Sequence, residues 1–134
     1  MKQQALVITA ILTSTITVTI QSAIAGQIPP TPVRCYFFEG ETLALKSSCV
    51  YKGSSWAGGG GSTLTWKDGV VTGIQYGLQG RGERICSQED QIAVDGVCGR
   101  RYARSLNTLK RISNNREPAM TCVQLENESV CWKF

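Results

Sequence analysis

Thr63-Leu-Thr-Trp-Lys-Asp-Gly-Val-Val-Thr-Gly-Ile-Gln-Tyr76 is the stretch of this chain that predicts its fold. Two runs rich in β-branched and aromatic residues flank Asp68-Gly69, a dipeptide typical of two-residue type I′ turns because both central residues need a positive φ. A two-residue turn places Trp66 opposite Val71. We therefore predict a β-hairpin whose core face carries Leu64, Trp66 and Val71.

Turn and strand signals recur along the rest of the chain. Asp95-Gly96 separates Gln91–Val94 from Val97-Cys98 and predicts a second hairpin. Met120–Leu125 and Ser129–Lys133 flank a polar turn and predict a third hairpin at the C-terminus. Further short strands are expected at Arg34–Phe38, Leu43–Lys46 and Cys49–Lys52. The pattern predicts an all-β, or mostly β, fold: a small, disulfide-stapled antiparallel barrel or sandwich.

The stretch Arg101–Ile112 fits two structures. Tyr102, Leu106 and Leu109 recur at helical spacing, but the stretch also divides into two strand-like pieces around Ser105–Asn107. Periodicity over so short a stretch does not separate a helix from two strands. In a β-rich chain we favour two strands.

Six cysteines and no histidine define the covalent chemistry of the chain. They are Cys35, Cys49, Cys86, Cys98, Cys122 and Cys131. An even number in a small exported chain indicates a disulfide framework, and the grouping in sequence favours pairing of successive cysteines. Each bridge contributes about 2–4 kcal/mol, mainly by restricting the unfolded chain. Without histidine or a Cys-x-x-Cys spacing, no metal site and no cofactor are expected.

The N-terminus has the order of a secretory signal peptide. A single lysine precedes an apolar stretch, and Ala23-Ile24-Ala25 forms a small-x-small cleavage site before Gly26. The alternative is a retained membrane anchor, since no charge occurs between Lys2 and Arg34. Its threonine content and Pro29-Pro30 oppose a spanning helix. We predict a signal peptide over residues 1–25, a single secreted or periplasmic domain over residues 26–134, and no integral membrane span after cleavage.

A glycine-rich segment, Gly53–Ser62, is the first candidate functional feature. Four consecutive glycines argue against a strand interior and favour a mobile loop or broad turn. Trp56 lies in this segment. A loop tryptophan is either a recognition anchor, because aromatic residues dominate binding hot spots, or a side chain that folds back to cap the barrel.

The second candidate feature is a cluster of cations between Gly99 and Arg116, a segment that contains no acidic residue. The candidate binding residues within it are Arg100, Arg101, Tyr102, Arg104, Lys110 and Arg111. Arginine suits carboxylate and phosphate because its planar fork donates paired hydrogen bonds. For an exported chain the expected partners are an anionic envelope polymer, such as a glycan, or an acidic protein, and not nucleic acid, which calls for a stronger basic bias. The alternative is a solvated basic face without a ligand.

The residues that catalysis needs are sparse in this chain. Without histidine, no serine–histidine or cysteine–histidine arrangement exists. Two acidic pairs remain as candidates for paired-carboxylate hydrolysis: Glu39 with Glu41, and Glu89 with Asp90. We therefore do not expect an enzyme.

Three segments give the chain its resemblance to known proteins. Leu64–Gly69, the glycine-rich segment before it and Ser129-Val130-Cys131-Trp132 resemble small exported bacterial proteins of uncharacterised function. A fainter resemblance, through Arg34-Cys35-Tyr36, is to periplasmic inhibitors of lysozyme, which implies a disulfide-bearing β-barrel of about this size. The inhibitors' serine-rich loop ending in Arg-Tyr is not recognisable here, so no inhibitory residue is carried over.

Three functions follow as expectations. The first is a secreted or periplasmic, non-enzymatic binding module for an anionic glycan or an acidic protein. The second is an inhibitor of a lysozyme-type hydrolase, and the third is a small carboxylate-based hydrolase.

Overall fold

A computed structural model describes residues 26–113 and 116–134. Their regular secondary structure consists of β-strands, which confirms the predicted all-β class. Within these two ranges no helix of the length and hydropathy needed to cross a membrane occurs. The strands are β1 Gln27–Glu39, β2 Thr42–Trp56, β3 Gly59–Trp66, β4 Val71–Gly77, β5 Gln91–Val94, β6 Val97–Ser105, β7 Arg111–Ile112, β8 Ala119–Leu125 and β9 Glu128–Lys133. The predicted signal peptide, residues 1–25, lies outside the described residues.

Eight of the strands close into one antiparallel barrel. Each of β1 to β6 pairs with the next strand in sequence, β6 also pairs with β8, and β9 lies between β8 and β1. The two-residue strand β7 pairs with β6 outside this ring. Of the two expected architectures, the barrel is therefore the one that forms, and closure removes the free sheet edges that a small sandwich leaves exposed.

Three disulfides join successive cysteines, which confirms the predicted pairing. Cys35–Cys49 links β1 to β2, and Cys122–Cys131 joins directly opposed residues of β8 and β9. Cys86–Cys98 ties the segment before β5 to β6. Disulfides of this kind persist in an oxidising compartment, so the covalent framework fits an extracellular or similar environment.

The hairpin at Asp68-Gly69 forms, but its predicted register is wrong by one residue. The pairs are Thr65↔Val71 and Leu64↔Thr72, because Gly69 alone of the dipeptide has a positive φ and the loop is three residues long. The Trp66 amide accordingly bonds the Val70 carbonyl at 2.8 Å. This is a type I turn followed by a left-handed glycine, the second common hairpin geometry.

The one-residue shift changes which side of β4 is buried. Val71, predicted to lie in the core, is 52% exposed, whereas Thr72 and Ile74 are buried. The buried Trp66 indole Nε1 donates to the Thr72 hydroxyl at 2.8 Å. Packing of Trp66 with Thr72 and Ile74 inside the barrel therefore selects the three-residue loop.

The two other hairpins and the strand interpretation of residues 101–112 are confirmed, whereas the separate short strands expected at Leu43–Lys46 and Cys49–Lys52 form one continuous strand, β2. Asp95 and Gly96 have φ values of 49° and 82° and form a two-residue turn that pairs Val94 with Val97. At the C-terminus Leu125 pairs with Glu128, which closes the third hairpin. The ambiguous stretch 101–112 contains β strands, the end of β6 and β7, and no helix.

The prediction that the glycine run is a loop is wrong: Gly59, Gly60 and Gly61 begin strand β3. Glycine is needed there for close approach and not for flexibility. A Cβ on Gly59 would overlap the Leu78 carbonyl oxygen and lie 2.7 Å from that of Tyr76, and a Cβ on Gly60 would overlap the Tyr76 hydroxyl. The absent side chains let β4 and the following segment lie directly against β3.

Two hydrophobic cores stabilise the barrel, one inside it and one on its outer surface. The inner core contains Val33, Cys35, Cys49, Leu64, Trp66, Ile74, Ile92, Val94, Val123, Val130 and Trp132. The outer core contains Tyr36, Phe38, Met120, Cys122 and Cys131, covered by Leu43, Tyr102, Leu106 and Leu109. The segment between β6 and β8 thus packs as a second layer against the wall formed by β1, β9, β8 and β6.

Replacing Gly59 by alanine tests the close approach. We expect Gly59→Ala to destabilise the fold by about 2–3 kcal/mol, because its Cβ meets backbone atoms that cannot rotate away. The matched control is Gly80→Ala, since an added Cβ at Gly80 meets no atom within 4 Å. Urea unfolding of both variants measures the difference, and equal midpoints would contradict the packing role of Gly59.

Candidate functional site

Strand alternation divides the predicted basic cluster between two sides of the barrel wall. Arg101 pairs with Val123, a fully buried residue of the inner core, so the two side chains lie on the inner face. Arg100 pairs with Gln124 and Tyr102 with Cys122, which places both on the outer face. The cluster is therefore not one continuous basic surface.

Arg104 is buried, with only 1% of its surface exposed. Its guanidinium lies 4.2 Å from the centre of the Phe38 ring and donates to the Tyr102 hydroxyl at 2.8 Å. It also donates to the Leu109 carbonyl at 2.9 Å and to the Glu41 carboxylate at 3.0 Å. An exposed ligand contact is not compatible with this burial, so Arg104 is a structural residue that fastens the outer core.

Glu41 connects two members of the cluster. Its carboxylate accepts hydrogen bonds from Arg104 and, at 3.3 Å, from Arg111. The Arg111 guanidinium lies 4.1 Å from the centre of the Tyr102 ring. Arg111 and Tyr102 therefore belong mainly to this outer-core network. Lys110 is exposed beside it, and Arg100 is exposed on the adjoining part of β6.

The hydrogen bond from Arg104 is the main cause that holds the pKa of Glu41 below the ordinary glutamate value, and Arg111 acts in the same direction. A general acid needs a raised pKa, so that it carries a proton near neutral pH. Glu41 is ionised instead. The Glu39 and Glu41 pair thus has the wrong electrostatics for acid-catalysed glycoside hydrolysis.

Arg101 lines a cavity of about 520 Å³ at one mouth of the barrel. Aromatic side chains form much of its wall: Tyr51, Tyr76, Trp132 and Phe134. The rings of Tyr51 and Phe134 meet edge to face with centroids 4.7 Å apart. The cavity combines one guanidinium with an aromatic wall, which makes it the strongest candidate binding site.

The charged side chains at this mouth differ in whether they form an ion pair. Glu89 accepts from Arg84 at 3.1 Å in an exposed ion pair. Within the ranges 26–113 and 116–134, neither Arg101 nor Asp90 forms an ion pair or a side-chain hydrogen bond. The second acidic pair predicted from the sequence thus lies at the mouth, but one of its carboxylates is held by an arginine.

The opposite mouth of the barrel is lined by different kinds of side chain. Its cavity is about 360 Å³, and none of the described residues that line it is a cation. The exposed apolar side chains Leu45, Val70 and Val97 lie at its rim. The cation that distinguishes the two ends of the barrel is Arg101.

Trp56 lies on the outer wall, away from the predicted basic cluster. It ends β2, is 38% exposed, and donates from Nε1 to the Leu78 carbonyl at 2.6 Å. The groove that it lines, about 830 Å³, contains none of the predicted basic residues. The two predicted features, the tryptophan and the basic cluster, therefore belong to separate surfaces.

Sequence reasoning identified Arg101 but missed the aromatic residues that share its cavity. Tyr51, Tyr76 and Trp132 lie on three different strands. Alternation along each strand could have placed each of them on one face. Bringing them together requires the strand order and the register, which the sequence pattern does not supply.

No group of three or more cysteine, histidine or acidic side chains suited to a metal ion occurs in the described part of the chain. A comparison with protein-family models, one with curated proteins and one with solved structures each found no match. The resemblance to small exported bacterial proteins and to periplasmic lysozyme inhibitors stays a prediction.

The buried guanidinium of Arg104 has a measurable effect on stability. We expect Arg104→Ala to lower the free energy of unfolding by about 3 kcal/mol, since it removes hydrogen bonds and leaves a void against Phe38. The matched control, Arg100→Ala, changes an exposed arginine of the same strand and should stay within about 0.5 kcal/mol. Urea unfolding monitored by circular dichroism measures both, and the prediction fails if the two variants unfold alike.

Glu41 makes stability depend on pH. Its folded-state pKa is lowered, so its stabilising contribution is present above the ordinary glutamate pKa of about 4.3 and is lost as the pH falls through the lowered value. We expect the wild type to lose more stability on acidification below about pH 4.3 than Glu41→Gln does. Chemical unfolding at several pH values measures the slope.

The control is Glu39→Gln, which changes an exposed glutamate that forms no ion pair in the described part of the chain. It should keep the acid sensitivity of the wild type. Identical slopes for Glu41→Gln and the wild type would mean that the Arg104 contact does not couple folding to protonation.

Proposed function

We propose that this protein is an exported, non-enzymatic binding module that takes an anionic group of its ligand into the mouth lined by Arg101. The observation that carries the proposal is the exposed Arg101, which forms no ion pair within residues 26–113 and 116–134 and lines a cavity with four aromatic rings. Arginine recognises carboxylate or phosphate through paired, charge-assisted hydrogen bonds. The aromatic wall supplies apolar contact for the rest of the ligand.

The size of the cavity supports a ligand of small diameter. A volume of about 520 Å³ lies within the range of about 300–1,000 Å³ that is usual for small-molecule sites. An eight-stranded barrel has an interior just wide enough to be filled by side chains or to hold one small ligand. Here side chains fill the middle, and a cavity lies at each end, the larger one beside Arg101.

An anionic glycan fits this mouth better than an acidic protein does. A stable protein partner needs about 800 Å² on each side, whereas the cavity admits one residue of a polymer at a time. The exposed cations Arg100 and Lys110 lie outside the mouth and do not extend it into one basic surface. A carboxylated sugar unit, with an apolar ring face, one negative charge and several hydroxyls, matches this site: Arg101 and the aromatic rings bind the carboxylate and the ring face, and Asp90, which lines the same cavity, accepts from a sugar hydroxyl.

Export is the part of the proposal that the covalent framework supports. Three disulfides suit an oxidising compartment outside the cytoplasm. The sequence order of residues 1–25 favours a cleaved secretory signal. Both observations support a location in the periplasm or the extracellular space, where anionic envelope polymers occur.

Charge reversal tests the site directly. Arg101→Glu should weaken binding of hexagalacturonate, an oligomer with one carboxylate on each sugar, at least about tenfold, because one charge-assisted contact becomes a repulsion. Arg100→Glu makes the same change in net charge on the outer face of the same strand and should weaken it no more than about twofold. Isothermal titration calorimetry at low and high salt provides the affinities.

Each outcome of this experiment has one meaning. Equal losses in the two variants would indicate a diffuse basic surface and overturn the mouth as the site. No binding of hexagalacturonate by the wild type, together with Arg101-dependent binding of an acidic peptide such as hexaglutamate, would overturn the glycan in favour of an acidic protein.

A further inference from the structure

We infer that the groove on the outer wall beside Trp56 is a second binding site, one that takes a neutral saccharide chain. The groove is a concave surface of about 830 Å³. It runs from Trp56 at the end of β2, across β3 and β4, to Asp95 in the turn after β5. The inference does not rest on the proposed function, which concerns a different face of the wall.

Trp56 provides a fixed aromatic platform at one end. Its Nε1 donates to the Leu78 carbonyl at 2.6 Å, which sets the orientation of the indole. The position of a Cβ on Gly61 would lie 3.4 Å from the edge of the indole ring, so the ring rests over a bare part of β3. The side chain is nevertheless 38% exposed. A preoriented and partly exposed indole offers its face to the apolar C–H side of a pyranose ring without a large loss of side-chain entropy.

The floor of the groove is open. Gly73 on β4 projects no side chain, and a Cβ there would meet only the Asp95 carboxylate oxygen, at 3.5 Å. Apart from the chain neighbours of Gly73, no other atom of the described residues lies within 4 Å of that position. With strands about 4.8 Å apart, the three steps from β2 to β5 give a floor of about 14 Å, longer than one sugar ring.

Polar side chains without internal partners line this floor. Lys52, Thr63 and Gln75 form no side-chain hydrogen bond within the described ranges. Asp95 is held in place because its Oδ1 accepts from the Gly73 amide at 2.7 Å. Its second oxygen remains available as an acceptor. Together these groups supply both donors and acceptors, as the hydroxyls of a sugar require.

The charged residues and the strand pairing of the groove indicate which class of ligand it binds. Lys52 and Asp95 are the two charged residues that line it, and their charges cancel. A neutral ligand is therefore favoured over an anionic one. Over β3 and β4, a peptide that adds as a strand is disfavoured, because both strands are already paired on either side. An aromatic platform with hydroxyl-matching groups on an open floor fits a neutral oligosaccharide.

The test uses three neutral hexasaccharides that differ in linkage and substituent: maltohexaose, cellohexaose and N-acetylchitohexaose. We expect at least one of them to bind the mature wild-type protein in isothermal titration calorimetry. Trp56→Ala should weaken that binding at least about tenfold, as expected for an aromatic anchor. Trp56→Phe, which keeps a ring face, should lose less.

Gly73→Val tests the floor without touching the platform. Gly73 is a strand residue without a positive φ, so a β-branched side chain is compatible with its backbone, and its methyl groups would fill the groove. We expect a loss of binding of at least about tenfold with the thermal midpoint retained. The matched control, Gly80→Val, places the same side chain where an added Cβ meets nothing within 4 Å and should bind as the wild type does.

The outcomes separate this site from the mouth. Arg101→Glu should leave binding of the neutral hexasaccharide unchanged, whereas it weakens binding of hexagalacturonate if the proposed function holds. The inference is overturned if none of the three hexasaccharides binds, if Gly73→Val binds as tightly as Gly80→Val, or if Arg101→Glu abolishes the binding.

Discussion

Closure of the barrel by its first and last strands is the constraint on which the rest of the structure depends. Six residue pairs, from Arg34↔Lys133 to Glu39↔Glu128, join β1 to β9. Without them the sheet would have two free edges and no defined interior. With them, alternate residues of every strand point either into the barrel or away from it. Arg101 reaches the mouth and Trp56 the outer wall because of this division.

The outer core is a consequence of the same division. Tyr36 and Phe38 point outward from β1 and would be exposed on a bare barrel, yet each is at most 2% exposed. The segment after β6 covers them, and Arg104 fastens it through Phe38 and the Leu109 carbonyl. A buried guanidinium is stable there because aromatic faces, carbonyls and a carboxylate satisfy it. This outer layer includes part of the basic cluster, so Arg101 is the member of the cluster that lies at the mouth.

The two Asp-Gly dipeptides show how much of a turn's geometry the local sequence determines. Asp95-Gly96 forms the expected two-residue turn. Two hydrogen bonds hold its geometry, one from the Gly73 amide to the Asp95 carboxylate and one from the Asp95 amide to the Gly73 carbonyl. Asp68-Gly69 forms a three-residue loop instead. Both geometries suit the dipeptide. Burial of the residues that flank the second turn decides between them, because a one-residue slip would exchange Thr72 for Val71 in the core.

The sequence by itself determined the all-β class, the pairing of successive cysteines, the turns and the presence of a basic segment, since these depend on residue type and short-range spacing. Tertiary structure alone decided the closed barrel, the strand role of Gly59–Gly61, the burial of Arg104 and the aromatic residues that lie beside Arg101. Each of these depends on contacts between strands distant in sequence. From the sequence, a glycine run predicts flexibility, but here neighbouring strands occupy the space of the missing side chains. An arginine likewise predicts a surface charge, but aromatic rings enclose Arg104.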